Sequence, residues 1–506
     1  MPATPAFPRP FGLLLAASAA VALPAAARAD DTVDGYLARI AALNHAGPQL
    51  NAVIAVNPEA QAAAAAAKTM AGPLAGKAIL IKDNIETAEP LATTAGSLAL
   101  AGNVTRRDAP LVARLRGAGV VILGKTNLSE WANIRSSFSS SGWSGVGGQT
   151  RNPFATDRSP CGSSSGSGAG VAAGMAWAAI GTETDGSVTC PASMNGLVGL
   201  KPTVGLVSRT HIVPISHSQD TAGPMTTSVH DAALLLTAMA GSDPADPATA
   251  QADRRKTDYV AALAGASLKG VRLGVLRKAV GDDAKVRALF DRALADLARA
   301  GAELVDIDEE TDPAMGRDEQ AVLMYELRVD LGAYLAGLPV TVPVRPAPVR
   351  TLADAIAFDR AHADAEMRWF GQDQFETAER TTDLAAYTKA RANSLRLAGK
   401  DGIDRMLAAH HVALLIAPTA GPAWPIDLVT GDHGLQLGAG SLPAIAGYPH
   451  LTVPMGAVEG LPVGLSFIGT AWDDAAVLKA GAAYEAARTA PLAKPTFEPW
   501  RERPAQ

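Results

Sequence analysis

The chain has 506 residues, of which 48% are hydrophobic and 19% are charged, so it can bury a large core. Its formal net charge of −6 at pH 7 and the absence of a basic cluster argue against a nucleic-acid-binding protein. Its nine histidines are not arranged with the spacing of metal ligands along the sequence, which argues against a metal site.

The first 29 residues have the pattern of a secretory signal peptide. Arg9 precedes an apolar run over residues 11–23, and Ala27-Arg28-Ala29 supplies a small-x-small cleavage site. The apolar run is too short for a transmembrane helix, and the remaining alternative is an alanine-rich disordered tail. We expect a signal peptide over residues 1–29, cleaved near Ala29, and a mature chain in the periplasm or the medium.

Two helices and a strand are predicted next along the chain. Residues 32–44 are amphipathic, and residues 60–70 are rich in alanine, the strongest helix former. Residues 76–85 form an apolar, strand-like run that delivers Lys82 and then becomes polar. A lysine at the end of a buried strand is uncommon, so Lys82 is a candidate for chemistry.

Two serine-bearing, glycine-flanked loops bracket a short apolar segment over residues 169–180. The first loop spans residues 160–168 and the second spans residues 181–191. Glycines let backbone N–H groups approach a reacting atom closely, and the neighbouring serines supply hydroxyl groups. Acyl transfer to a serine needs this combination, and the apolar segment, as a helix or a strand, would hold both loops in the core.

The rest of the chain adds an α/β unit and long helices. The predicted elements are a strand over 271–276, a helix over about 282–300, a strand over 303–307, and helices over 317–335 and 352–370. Residues 339–348 are the most linker-like stretch, which we interpret as shaping a substrate-side insertion rather than as dividing two domains.

The order of motifs across residues 76–225 resembles the amidase signature family of serine hydrolases. Besides Lys82 and the two loops, the matching segments are residues 93–97, 121–131, 148–153 and 199–205, with weaker matches at 417–419 and 446–449. The resemblance implies an α/β fold in which helices cover both faces of a mixed β-sheet, with helical insertions. It also implies one domain over residues 30–506.

The resemblance further implies a catalytic triad of Lys82, Ser163 and Ser187, with a cis peptide bond before Ser163. The two serines are 24 positions apart, as in members of the family, and this likeness selects Ser163 rather than Ser164 or Ser165 as the bridging residue. Lysine can act as a base only when neutral, so burial or a neighbouring cation must lower its pKa from about 10.4. Nucleophile, base and backbone donors complete this mechanism, so we expect no metal or organic cofactor.

The backbone N–H groups of Thr184, Asp185, Gly186 and Ser187 would form the oxyanion hole, as in relatives of the family. The sequence leaves open whether the side chain of Asp185 contacts substrate or stabilises the loop. It also leaves open whether Lys201 stabilises the oxyanion loop or is a structural lysine at the end of a strand.

Four residues of the two loops depart from the commoner family wording: Cys161, Ser165, Glu183 and Asp185. Together with residues 189–191 and 218–221, they resemble the bacterial peptide amidase branch, whose members release ammonia from C-terminally amidated peptides. We therefore expect an exported amide hydrolase that forms an acyl-enzyme on Ser187, with carboxamides or peptide amides as substrates. Nucleic acid and, after removal of the signal peptide, the membrane are not expected partners.

Other functions remain as alternatives. Residues 162–166 match G-x-S-x-G, the nucleophile elbow of α/β-hydrolases, so an esterase using Ser164 and a late histidine such as His450 is one alternative. A non-catalytic exported binding protein is another, against which the presence of all three triad residues argues. Export argues against a transamidating enzyme of the same family, because its aminoacyl-tRNA substrate is cytoplasmic.

The two cysteines lie close to the two triad serines along the chain. Cys161 precedes Ser163 by two residues and Cys190 follows Ser187 by three, so contact between the serines would bring the cysteines near one another. Export would permit a disulfide bond. Free cysteines are also common as small buried residues, so both states stay open.

Overall fold

The computed structural model describes residues 30–339 and 349–502. The predicted signal peptide and residues 340–348 of the linker-like stretch lie outside the described residues. The division of the chain into a signal peptide and one domain therefore stays a prediction.

Thirteen strands occur in the described part of the chain. They are β1 (Val53–Val56), β2 (Ala78–Lys82), β3 (Val121–Thr126), β4 (Trp143–Ser144), β5 (Gly148–Gln149), β6 (Ala178–Glu183), β7 (Val198–Lys201), β8 (Thr221–Thr226), β9 (Arg272–Leu276), β10 (Glu303–Ile307), β11 (Leu414–Pro418), β12 (His450–Val458) and β13 (Leu461–Ile468). Eleven of them form one sheet in the order β1-β3-β2-β6-β8-β7-β12-β13-β11-β9-β10, and β4 pairs with β5.

The sheet is mixed, and its parallel strands position the site. Strands β3, β2 and β6 run parallel to one another, whereas β6, β8, β7, β12, β13 and β11 pair antiparallel in turn. Because β2 and β6 are parallel neighbours, their carboxyl ends lie at the same edge of the sheet. Lys82 ends β2 and Glu183 ends β6, so the two motif regions meet there.

The helices of the described residues cover both faces of this sheet or pack against one another. They are α1 (Val33–Leu43), α2 (Ala60–Ala67), α3 (Pro110–Gly117), α4 (Ser165–Ala172), α5 (Thr189–Met194), α6 (Val229–Met239), α7 (Ala252–Arg255), α8 (Tyr259–Ala262), α9 (Ala284–Arg299), α10 (Ala314–Ala336), α11 (Leu352–Ala361), α12 (Ala363–Glu366), α13 (Asp373–Arg380), α14 (Leu384–Ala398), α15 (Arg405–Ala409), α16 (Ser441–Ala446) and α17 (Asp474–Ala487). Among the described residues, no helix combines the length and the apolar character that crossing a membrane requires.

Alternation along β2 explains why both faces are covered. Side chains of successive strand residues point to opposite faces. Ile79 and Ile81 belong to the core that contains α3, α6, α9 and α17, whereas Leu80 belongs to the core that contains α1, α4 and α5. The predicted mixed sheet with helices on both faces is confirmed.

Most of the predicted elements are confirmed, and two predictions need correction. The segment over 169–180, predicted as a helix or a strand, contains the end of α4 and the start of β6. The helix predicted over 352–370 ends at Ala361, and the short α12 follows. His362 leaves helical geometry, and its Nδ1 lies 2.9 Å from the carbonyl oxygen of Phe358, where its side chain competes with the backbone.

Candidate active site

Lys82 is fully buried at the carboxyl end of β2. Its Nζ lies 2.8 Å from Ser163 Oγ, 2.8 Å from Thr182 Oγ1 and 3.2 Å from the Thr182 carbonyl oxygen. Burial lowers the pKa of Lys82 to about 7, although the carboxylates of Asp220 and Glu183 oppose this shift. Near neutral pH a substantial fraction of Lys82 is therefore uncharged and able to accept a proton.

Thr182 and Asn84 are site residues that sequence reasoning missed. Thr182 Oγ1 accepts hydrogen bonds from both Lys82 Nζ and Asn84 Nδ2, the latter at 2.9 Å. Both residues are buried, at 7% and 2% relative exposure. The signal in the sequence was the polar Thr182 near the end of the apolar run that forms strand β6. The pair stabilises the position of the lysine nitrogen beside Ser163.

Ser163 and Ser187 come from adjacent loops that touch through their backbones. The Gly162–Ser163 peptide bond is cis, as the resemblance implies. The N–H of Ser164 donates to the carbonyl oxygen of Ser187 at 3.1 Å, and the N–H of Ser129 donates to that of Ser163 at 3.0 Å. Within the described residues no hydrogen bond joins the two Oγ atoms, and Ser163 Oγ accepts instead from Lys82 Nζ.

The second loop leaves a run of backbone donors free. Within residues 30–339 and 349–502, the N–H groups of residues 184–187 donate to no protein acceptor. The next two, of Val188 and Thr189, donate to the Glu183 carboxylate at 2.8 and 2.9 Å. Gly186 has a φ of +77°, which favours glycine. This arrangement suits a developing oxyanion.

Asp185 and Lys201 lie around this loop in different ways. The Asp185 side chain accepts a hydrogen bond from Ser441 Oγ at 2.7 Å, and burial raises its pKa to about 6. Lys201, the last residue of β7, is fully buried, and its Nζ lies 3.3 Å from the Pro202 carbonyl oxygen. Burial lowers the pKa of Lys201 to about 8. These contacts favour a structural role for Lys201 at the end of its strand.

The residues of the esterase alternative are not arranged as a nucleophile and its base. Ser164 is fully buried, and its hydroxyl donates to the Thr182 carbonyl oxygen at 3.1 Å and accepts from the Thr182 N–H at 3.2 Å. His450 is also fully buried, with Nε2 at 2.6 Å from Ser466 Oγ. Burial lowers the pKa of His450 to about 3. Ser164 therefore stabilises the contact between α4 and β6.

A cleft of about 1010 Å³ opens beside the second loop. It reaches Asp185 and Gly186, the two residues that precede Ser187. Its lining includes apolar side chains, among them Met194, Trp424 and Leu435, and charged side chains such as Glu309 and Arg405.

One wall of the cleft is held by Asp432. Its carboxylate accepts hydrogen bonds from Trp424 Nε1 at 3.1 Å and from Ser141 Oγ at 2.5 Å. The Trp424 indole packs close to Gly434, where an added Cβ would lie 3.0 Å from the ring. These contacts tie the wall to the chain segment that precedes the first serine loop.

A disulfide bond joins Cys161 to Cys190, with 6.0 Å between their Cα atoms. Of the two states that the sequence left open, the structure contains the bridge. It connects the residues before Ser163 to α5, the helix that begins two residues after Ser187. The bridge and its apolar neighbours therefore hold the two serine loops together.

Comparison with known proteins relates the chain to amidases. The family model described as Amidase matches residues 31–478. The native peptide amidase structure from Stenotrophomonas maltophilia is 50% identical, with a TM-score of 0.86 over 92% of this chain and 94% of that chain. The crystal structure of an amidase family protein from Bacillus anthracis is 33% identical, with a TM-score of 0.81 over 90% and 86% of the two chains. A probable amidase of Arabidopsis thaliana is 38% identical, over 90% of this chain and 86% of the relative.

The disulfide predicts the outcome of thiol titration. Denatured, unreduced protein should have no reactive thiol, and reduction should release two per chain, the number of cysteines in the sequence. Reduction should also lower the free energy of unfolding by about 3 kcal/mol, because it frees the unfolded chain. Cys190→Ser is the matched control and should show one thiol without reduction. Two reactive thiols in the unreduced wild-type protein would contradict the bridge.

Proposed function

The chain belongs to the amidase family, and from this premise we propose that it is an exported peptide amidase with Ser187 as its nucleophile. Hydrolysis of amide C–N bonds follows from the family; the substrate, the site roles and the export are the proposal. The observation that carries the site roles is the 2.8 Å contact between the buried Lys82 Nζ and Ser163 Oγ, next to the loop of Ser187.

The proposed reaction begins with attack of Ser187 Oγ on the carbonyl carbon of the amide. Ser163 passes the proton of Ser187 to the uncharged amine of Lys82, because a serine hydroxyl is a weak nucleophile without a base. The negative charge on the carbonyl oxygen is stabilised by the free N–H groups of residues 184–187. One such donor typically contributes about 3 kcal/mol to transition-state stabilisation.

The second half of the reaction returns the proton. As the tetrahedral adduct collapses, the C–N bond breaks, and the proton passes from Lys82 through Ser163 to the departing nitrogen, which leaves as ammonia. Water then attacks the acyl-enzyme with the same lysine as base. The products are a carboxylic acid and the regenerated serine.

A peptide amide is the proposed substrate because of the cleft and the similarity to a solved peptide amidase. A volume of about 1010 Å³ lies at the upper end of the range for small-molecule pockets, which suits a peptide better than a simple aliphatic amide. The apolar wall with Trp424 and Leu435 suits the side chain of an amino-acid residue. The resemblance of the two loops to the peptide amidase branch agrees with this choice.

Export is proposed from the pattern of residues 1–29, and the disulfide agrees with an oxidising compartment. N-terminal sequencing after cell fractionation should find a periplasmic or secreted chain that begins near Asp30. Leu14→Arg interrupts the apolar run and should leave an uncleaved chain in the cytoplasm. A wild-type chain that keeps residues 1–29 in the cytoplasmic fraction would contradict export.

The pH dependence of the rate tests the role of Lys82. Its pKa is lowered to about 7, so kcat/KM should rise through pH 7 and fall about tenfold per pH unit below it, where the amine is protonated. Lys82→Arg should lose several orders of magnitude at every pH, because a guanidinium keeps its proton. Lys77→Arg changes an exposed lysine before the same strand and should keep full activity.

Covalent labelling separates the serines in the same experiment. A serine-reactive acylating probe should label the wild type and Ser164→Ala but not Ser187→Ala. Wild-type activity in Lys82→Arg would refute the proton transfer. Labelling that persists in Ser187→Ala would refute the nucleophile.

Ammonia release across a panel of amides tests the substrate. Peptides with a C-terminal carboxamide should be hydrolysed faster than aliphatic or aryl amides, and internal peptide bonds should stay intact by mass spectrometry. The same peptides with a free C-terminal carboxylate are the matched control. Trp424→Ala should raise KM for peptide amides and leave small aliphatic amides unaffected, because it removes part of the cleft wall. Cleavage of internal bonds, or a preference for small amides, would overturn the peptide-amide assignment.

A further inference from the structure

The loop over residues 215–220 forms hydrogen bonds both to the long helix α10 and to the second serine loop. Gln219 Nε2 donates to the Thr184 carbonyl oxygen at 3.3 Å and to Glu319 Oε1 at 2.9 Å. Thr184 Oγ1 donates to Asp220 Oδ1 at 2.6 Å. Two adjacent residues of one loop therefore fix Thr184: Gln219 binds its carbonyl oxygen and Asp220 binds its side chain.

Holding the Thr184 carbonyl also sets the direction of the next N–H. The peptide unit between Thr184 and Asp185 is planar, and its C=O and N–H point in opposite directions. A hydrogen bond that fixes the carbonyl oxygen therefore fixes the Asp185 N–H. That N–H is one of the free donors of the second loop, so its direction matters for an oxyanion.

The loop is attached to α10 at several points. Glu326 accepts from Ser216 Oγ and Ser218 Oγ, each at 2.5 Å, and Asp330 accepts from the His217 N–H at 2.7 Å. Atoms of His217, Glu326 and Asp330 that could bind a metal ion lie within 4.8 Å of one another. Both carboxylates, however, already accept hydrogen bonds from donors of the loop. The loop is thus braced by the helix.

The three acceptors on α10 share one face of the helix. Glu319, Glu326 and Asp330 are separated by seven and four positions, a spacing that aligns side chains along a helix. Glu319 is 9% exposed and Gln219 is 1% exposed, so their hydrogen bond is shielded from water. A carboxamide nitrogen carries two N–H donors, which is what bridging two acceptors requires.

We infer that Gln219 is a positioning residue that aims the Asp185 N–H at the substrate carbonyl oxygen, and that Glu319 orients the Gln219 carboxamide. Neither side chain is assigned contact with the reacting atoms. The inference rests on the proposed role of residues 184–187 as an oxyanion hole. It gives helix α10 an indirect role in the proposed reaction, through Glu319 and Gln219.

Gln219→Met tests the inference, because it keeps the size of the side chain and removes both donors. We expect kcat to fall about tenfold to a hundredfold with KM within about twofold, since a misaimed donor weakens only the transition state. A peptide aldehyde adds the serine O–H across its C=O bond to give a tetrahedral hemiacetal, and its affinity should fall by the same factor. Affinity for the carboxylate product should not change.

Two substitutions of Glu319 provide the second arm. Glu319→Gln keeps an acceptor for Gln219 and should keep kcat within about threefold, whereas Glu319→Leu should follow Gln219→Met. In the Gln219→Met background, Glu319→Leu should have no further effect, because both act through one hydrogen bond. Gln320→Met is the matched control, since Gln320 is the exposed neighbour of Glu319 on α10.

Several outcomes would overturn the inference. One is an unchanged kcat and aldehyde affinity in Gln219→Met; another is an equal loss of aldehyde and product affinity, which indicates collapse of the loop. If Gln219→Met does not fold, equal activity of Glu319→Gln and Glu319→Leu would overturn it. The assays use any amide that the wild type hydrolyses, so failure of the peptide-amide assignment would leave this test intact. Absence of covalent labelling at Ser187 in the wild type would instead contradict the proposed nucleophile.

Discussion

The arrangement of the site depends on the burial of one lysine. Lys82 lies at the end of β2 with no exposure to water, and desolvation lowers its pKa to about 7. Removing a charge from water is costly, so the fold compensates with acceptors from Ser163 and Thr182. The same burial that destabilises the protonated form makes the amine available as a base near neutral pH. Burial of Lys82 Nζ therefore costs stability when the amine is protonated and provides a base for the proposed reaction when it is not.

Two parallel strands and two loops bring the other groups of the site next to Lys82. Strand β2 delivers the amine, and β6 delivers Thr182 and, immediately after it, the second serine loop. The Glu183 carboxylate accepts from the two N–H groups at the start of α5, whereas the four N–H groups before them donate to no acceptor in the described part of the chain. Free backbone donors are costly in a folded protein unless a ligand or water uses them. Their grouping beside Ser187 is what the proposed oxyanion hole requires.

The amino-acid sequence by itself determined the local features. The apolar run before Lys82, the glycine-flanked serines and the strand–helix–strand unit of β9, α9 and β10 were all readable as patterns, and the structure agrees with them. Each depends on residues close together in the chain, where apolar periodicity and the conformational freedom of glycine act directly. The mixed sheet itself was expected only from the family resemblance.

Only the tertiary structure decided which distant residues meet. Thr182 lies 100 positions from Lys82, and Glu319 lies 100 positions from Gln219, so no local pattern predicts either hydrogen bond. The pairing of Cys161 with Cys190 likewise required the two serine loops to be adjacent. These contacts depend on strand order and on how α10 packs, which arise from burial of apolar surface across the whole chain. Sequence patterns therefore locate the reactive groups, whereas packing sets their partners, and through desolvation the proton affinity of Lys82.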